Sequence, residues 1–257
     1  MSKIFALLLS VIIMGSSLKT LADSKSASLE LNPQVTLGSY KGLVEDHLGG
    51  VLRTARVIAV TSEARTARWE LVKPMLDRFS NDLATDATVW FVLPDGSYYS
   101  TETGGVSDQN LKSRNYFPKL LAGQDVLGEL VISKSTGHRS VIVATPVIVD
   151  GVVVAAVGVS VRVRLLSGLL DSDIKLPDNT YFYALDSDTK IVLHRNVDRM
   201  FKSVSDVGDE SLGNAFKVIL NRNQGVFNYT LNGRKMRSIF QKSTVLGWYF
   251  FIAQEQK

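Results

Sequence analysis

Residues 140–164 read SVIVATPVIVDGVVVAAVGVSVRVR, two runs rich in Val and Ile on either side of Asp150-Gly151. An Asp-Gly pair between β-branched runs predicts a tight hairpin, because both turn residues must take positive φ. The runs do not alternate apolar with polar. Val141, Val143, Val147 and Val149 fall on one face, Ile142, Ala144 and Ile148 on the other. A hairpin apolar on both faces has to be covered on both, so it is expected at the centre of a sheet sandwiched between other elements.

A chain of 257 residues supplies ample core for one large or two small domains, and 45% apolar with 21% charged residues is ordinary globular composition. The beginning of the chain differs from the rest. Lys3 precedes an apolar run over residues 4–14, followed by small and polar residues up to Thr20-Leu21-Ala22. That is the layout of a secretory signal peptide over residues 1–22, the run being short for a bilayer span; an uncleaved anchor is the alternative. No later stretch is a candidate to cross a membrane, since Pro146 and Asp150-Gly151 interrupt the hairpin. Without cysteine there is neither a disulfide nor a thiolate nucleophile, which a periplasmic protein of this size tolerates. The formal charge of +4 falls to about +2 without Lys3 and Lys19, and no basic cluster suggests nucleic acid.

Residues 23–33 are polar and read as a flexible lead-in. Val44, Leu48, Val51, Ala55 and Ile58 then recur at helical spacing, predicting a helix over residues 36–62. At 1.5 Å per residue it would be roughly 40 Å long, enough to brace two small sheets. A second helix follows through Val72, Leu76, Phe79 and Leu83, and then strands at 87–93 and 97–101 around Pro94-Asp95-Gly96. Residues 103–113 read as a loop, 114–121 as a short helix and 126–133 as a strand leading to the central hairpin. After a helix at 165–170 and a polar connector the order repeats. Strands at 180–186 and 191–195, a helix at 211–221 and strands at 225–231, 234–242 and 248–253 are expected, with Asn232-Gly233 as another tight turn. The inferred class is α+β: two antiparallel sheet modules in series behind one long helix, divided as residues 34–172 and 173–257.

The order of elements and several local strings resemble the double Cache family of extracytoplasmic sensor domains. The strings are Phe91-Val92-Leu93-Pro94-Asp95-Gly96, Arg114-Asn115-Tyr116-Phe117, Ser135-Thr136-Gly137 and Val157-Gly158-Val159-Ser160, then Leu193-His194-Arg195 and Leu246-Gly247-Trp248. The resemblance spans nearly all of the chain after the leader. It implies two PAS-like modules with a small ligand bound in the first, membrane-distal one.

Arg114 follows a glycine-bearing loop and precedes two aromatics. A guanidinium offers a planar fork for a carboxylate, and Tyr116 and Phe117 would exclude water and strengthen those bonds. On the residues alone, a surface ion pair fits Arg114 as well; the resemblance selects the clamp. Amino-acid-binding relatives in the family carry two acidic residues for the ligand's ammonium, and those positions fall on Ser133 and Ser160 here. An ammonium buried against serines would lack a counter-charge, costing several kcal/mol. The expected ligand is therefore a small organic acid or another anion. Lys134 is either a second positive contact or a solvated turn lysine. Trp90, Tyr98 and Tyr99 lie on the first strand pair, and alternation forbids all three from facing one pocket.

Catalytic constellations are not apparent. Gly158-Val159-Ser160-Val161 lacks the closing glycine of a nucleophile elbow, and His47, His138 and His194 have no metal-ligand spacing, so neither metal nor cofactor is expected. The expectation is a periplasmic or secreted ligand-binding sensor, not an enzyme, that acts through a partner such as a membrane receptor or sensor kinase. A ligand-free module that docks a membrane sensor is the alternative, and a hydrolase working through Ser160 or Ser133 is a more distant one.

Overall fold

A computed structural model describes residues 32–84, 87–134 and 137–256. The expected signal peptide and most of the lead-in lie outside the described residues, as do Ser135 and Thr136. The helices are α1 (Pro33–Ala59), α2 (Ser62–Arg65), α3 (Trp69–Asp82), α4 (Phe117–Leu121), α5 (Val163–Ile174), α6 (Val204–Val207) and α7 (Glu210–Ile219). The strands are β1 (Ala87–Val92), β2 (Ser97–Ser100), β3 (Gly105–Asn110), β4 (Val126–Ile132), β5 (Arg139–Val149) and β6 (Val152–Arg162). A second set follows: β7 (Thr180–Leu185), β8 (Ile191–His194), β9 (Gln224–Leu231), β10 (Arg234–Lys242) and β11 (Tyr249–Glu255).

Two antiparallel sheets result, ordered β3-β2-β1-β6-β5-β4 and β8-β7-β11-β10-β9. Apart from the edge strand β3 the two orders are the same, with the last strand of each module lying next to its first. The hairpin is central, as its two-sided apolar pattern requires. Asp150 and Gly151 turn it with φ of 50° and 79°, and Ser140 to Val149 pair with Arg162 to Val152 across a bulge at Val147/Ile148. Val141, Val143 and Val147 join the core behind the sheet, while Ile142 and Ala144 join a separate cluster in front of it.

The back of both sheets is closed by α1. Asn32 caps it, its side-chain oxygen accepting from the Gln34 N–H at 2.9 Å, with Pro33 at the first turn where a missing N–H costs nothing. The helix therefore starts three residues ahead of the sequence expectation and lies partly in the region read as flexible. Toward the second sheet Tyr40 packs between Phe182 and Phe250, each with ring centroids 5.1 Å away. Leu48, Val51, Leu52 and Ala55 continue the same buried core. Trp248 adds a direct tie between the sheets: its indole N–H donates to the Gly128 carbonyl at 3.2 Å, beside the bulge in β4.

Two local expectations change. Residues 103–113 contain strand β3, which pairs with β2; an edge strand half in solvent needs no apolar alternation, so its polar sequence concealed it. The helix expected from Arg114 begins only at Phe117, with Pro118 in its first turn. Arg114 sits before it in consecutive tight turns, its N–H donating to the Leu111 carbonyl and its own carbonyl accepting from the Phe117 N–H. No described helix is long and apolar enough to cross a membrane.

Candidate functional site

The turn before α4 lowers two aromatics onto the front of the first sheet. Tyr116 and Phe117 are buried there with Trp90, Tyr98, Leu120 and Ile142. Alternation in β1 sends Trp90 and Val92 forward and Val89 and Phe91 backward. Tyr98, opposite Val92, also faces forward, whereas Tyr99 points back, where its hydroxyl donates to Asp77 at 2.8 Å. Trp90 stacks near Tyr116, centroids 6.2 Å apart, and lies directly over Gly158. A Cβ on Gly158 would fall 2.1 Å from the indole, so the Val157-Gly158-Val159-Ser160 string owes its glycine to this ring. The Trp90 indole N–H donates to Ser160 Oγ at 3.1 Å. The front of the first module is thus filled by its own aromatics. Burial pushes the Tyr116 phenol well above its ordinary range, with Arg114 nearby working in the opposite direction. Tyr116 is therefore a neutral wall.

Arg114 forms the edge of this cluster. It is half-buried, and one terminal nitrogen donates to the Ile132 carbonyl at 2.8 Å, which fixes the guanidinium against β4. Its Nε is buried and has no hydrogen-bond acceptor among the described residues. Such a donor on a charged group carries a desolvation cost of a few kcal/mol until an acceptor reaches it. Glu129, which no sequence signal singles out, lies close enough to raise the Tyr116 phenol and is ion-paired with Lys119 at 3.6 Å.

The remaining sequence candidates are dispersed. Ser160 faces the aromatic cluster but is engaged by Trp90. Ser133 follows β4, its N–H donating to the His138 carbonyl and its carbonyl accepting from the Gly137 N–H. Lys134 donates through Nζ to the Asn110 carbonyl at 3.0 Å and to Ser113 Oγ at 2.7 Å. These bonds tie the turn after β4 to the segment before Arg114.

Two open spaces lie away from this cluster. A groove of about 560 Å³ separates α1 from α3, beside His47 and Arg78. On the front of the second sheet a cavity of about 380 Å³ is lined by Tyr183, His194, Arg199 and Tyr229 among others. Here His194, at the end of β8, is 4% exposed, and burial followed by the charge of Arg199 pushes its imidazole down to about 3. In the sequence His194 is one of three histidines without metal-ligand spacing. Its only sequence signal is the Leu193-His194-Arg195 string, because Arg199 and Tyr229 reach it from a following turn and a distant strand.

Two PAS-like sheets of the same strand order, each with a helical excursion between its second and third common strands and a long helix behind both, define a tandem sensor-type fold. A family model described as "Cache domain" matches residues 16–257, and the chain belongs to that family. A search of curated proteins found no match. Among solved structures it is similar to the sensory domain of the Campylobacter jejuni chemoreceptor Tlp3 with isoleucine bound. That likeness has 19% identity over 87% of this chain and 91% of that one, with a TM-score of 0.63. The ligand-binding domain of the Pseudomonas aeruginosa amino acid chemoreceptor PctB, in complex with L-Arg, matches at 20% identity, 87% and 92% coverage and a TM-score of 0.67. The sensor domain of the Vibrio cholerae histidine kinase DctB matches at 14%, 87% and 96%, with 0.66. At these identities the likeness is one of fold.

Proposed function

We propose that this chain is an extracytoplasmic ligand-binding sensor rather than an enzyme. In this reading its first module recognises a small organic acid or another anion through Arg114. The observation that carries the reading is the buried Arg114 Nε, without an acceptor among the described residues, on a guanidinium already held in place by the Ile132 carbonyl. A carboxylate oxygen is the acceptor that such a group binds most strongly. Tyr116 and Phe117 would keep water from the bond, raising its strength in a low-dielectric setting. An α-amino acid fits less well, because Ser160 and Ser133 offer an ammonium no charge and Glu129 is paired with Lys119. Structural neighbours from chemoreceptors and a histidine kinase support a role in signalling through a membrane receptor or kinase partner. The apolar leader at residues 4–14 supports a periplasmic or secreted location.

Because the aromatics fill the front of the sheet, binding would draw on a state in which the α4 segment lifts. A ligand favours that state by its differential affinity for it. The test is a thermal-shift series with malate, citrate and inorganic phosphate against the L-amino acids. At least one anion should raise Tm while amino acids do not, and Arg114→Ala should abolish the shift with the fold retained. An anion-induced shift that survives in Arg114→Ala, or a response to amino acids alone, would contradict the clamp.

A further inference from the structure

The second module carries an unsatisfied polar arrangement that does not depend on Arg114. The chain leaves β8 at His194 and enters a short 3-10 turn, Val197–Arg199. In doing so it sets the Asn196 N–H against His194 Nδ1, 2.7 Å away. A ring nitrogen that accepts a hydrogen bond carries no proton, so in the neutral imidazole the proton sits on Nε2. Arg199 Nη1 stands 3.4 Å from that Nε2. Two donors therefore face each other, one of them on a nearly fully buried ring, with no acceptor between them among the described residues. Among the described residues Arg199 forms no ion pair. Tyr229 adds a third donor on the same cavity wall: its hydroxyl accepts from Tyr183 at 3.2 Å, which leaves its own proton to give. Burial keeps that phenol protonated.

The cavity of about 380 Å³ at these groups meets an apolar recess of about 40 Å³, the two sharing Tyr183, His194, Arg199, Tyr229 and Leu231. Leu185, Val207, Leu212 and Phe216 line the recess, which has room for a methyl or ethyl group. At the outer cavity Arg234 and Glu255 are bound to each other at 3.4 Å, so neither a second carboxylate nor an ammonium is offered a free partner there.

We propose that the second module is a separate binding site for a short-chain monocarboxylate, whose oxygens bridge His194 Nε2–H and Arg199 while its tail enters the recess. A bridging acceptor satisfies both facing donors and removes their mutual repulsion.

The chain has three histidines, so NMR of the ring protons during a propionate titration reads the site directly. The His194 resonance should move saturably while those of His47 and His138 stay fixed. Arg199→Gln should weaken the response by about tenfold or more, about 1.4 kcal/mol, and Arg114→Gln should leave it unchanged. Val207→Phe fills the recess without touching the donors, so it should weaken propionate but not formate. An unmoved His194, or an equal movement with sodium chloride, would overturn the proposal in the wild-type protein alone. A response lost in Arg114→Gln and kept in Arg199→Gln would transfer the ligand to the first module.

Discussion

The two modules share a strand order but use the front of the sheet differently. In the first, a five-residue helix preceded by tight turns drives Tyr116, Phe117 and Leu120 onto Trp90 and Ile142, and the space is filled. In the second, the longer excursion through α6 and α7 places Leu212 and Phe216 on the sheet but leaves His194, Arg199 and Tyr229 around a cavity. Strand order alone therefore does not determine whether a module is packed or open. The side chains delivered by the connection between the second and third common strands do.

The comparison breaks most readily at Trp90. If the first module is a packed core, Trp90→Ala should cost about 3–5 kcal/mol in chemical denaturation, whereas Tyr229→Phe at the open site should cost about 1 kcal/mol or less. Similar costs at both positions would mean that the modules are not differently filled. Acid sharpens the contrast. The His194 imidazole is held at about 3 when folded. Its unfolded value is about 6.5, so below that pH the unfolded chain binds a proton that the folded one refuses. Stability from this group is complete above pH 6.5 and is lost as pH falls toward 3, by about 2 kcal/mol between pH 6.5 and pH 5. The difference between wild type and His194→Gln should show this slope, and parallel pH curves would count against the buried neutral ring.

A smaller effect is expected at the joint. Trp248→Phe deletes the bond to the Gly128 carbonyl and part of a close ring contact, and should cost about 1–2 kcal/mol in global unfolding. A neutral result would mean that this bond adds nothing to the coupling that α1, α5 and the Arg139–Met200 bond already supply. Smallest is Arg114→Ala, which loses one bond to Ile132 and relieves an unsatisfied Nε. A stability change within about 1 kcal/mol is expected, measured by the shift in denaturation midpoint.

Much of the fold was legible because its signals are local. Asp150-Gly151 and Asn232-Gly233 specify turns through positive φ, and the Val141/Ile142 alternation names both buried faces of the hairpin. The helical spacing from Val44 to Ile58 marks the brace. What stayed hidden depends on partners remote in sequence. Strand β3 is polar because only β2 binds it, and the engagement of Ser160 required knowing that Trp90 lies 70 positions away across β1 and β6. Of the site candidates, Trp90, Tyr98, Tyr116 and Phe117 come together, with Arg114 at their edge, while Ser133 and Lys134 serve the turn after β4. The His194 arrangement was not foreseeable from spacing, since its donors converge only once the second sheet has formed.

The account rests on what meets Arg114 Nε. A crystal structure of the protein purified under native conditions, without refolding, tests this directly. It should contain an anion with an oxygen within hydrogen-bonding distance of that nitrogen and no positively charged group of the ligand beside Ser133 or Ser160. A guanidinium turned out into bulk solvent, or an ammonium compound held among Trp90, Tyr98 and Tyr116, would contradict it.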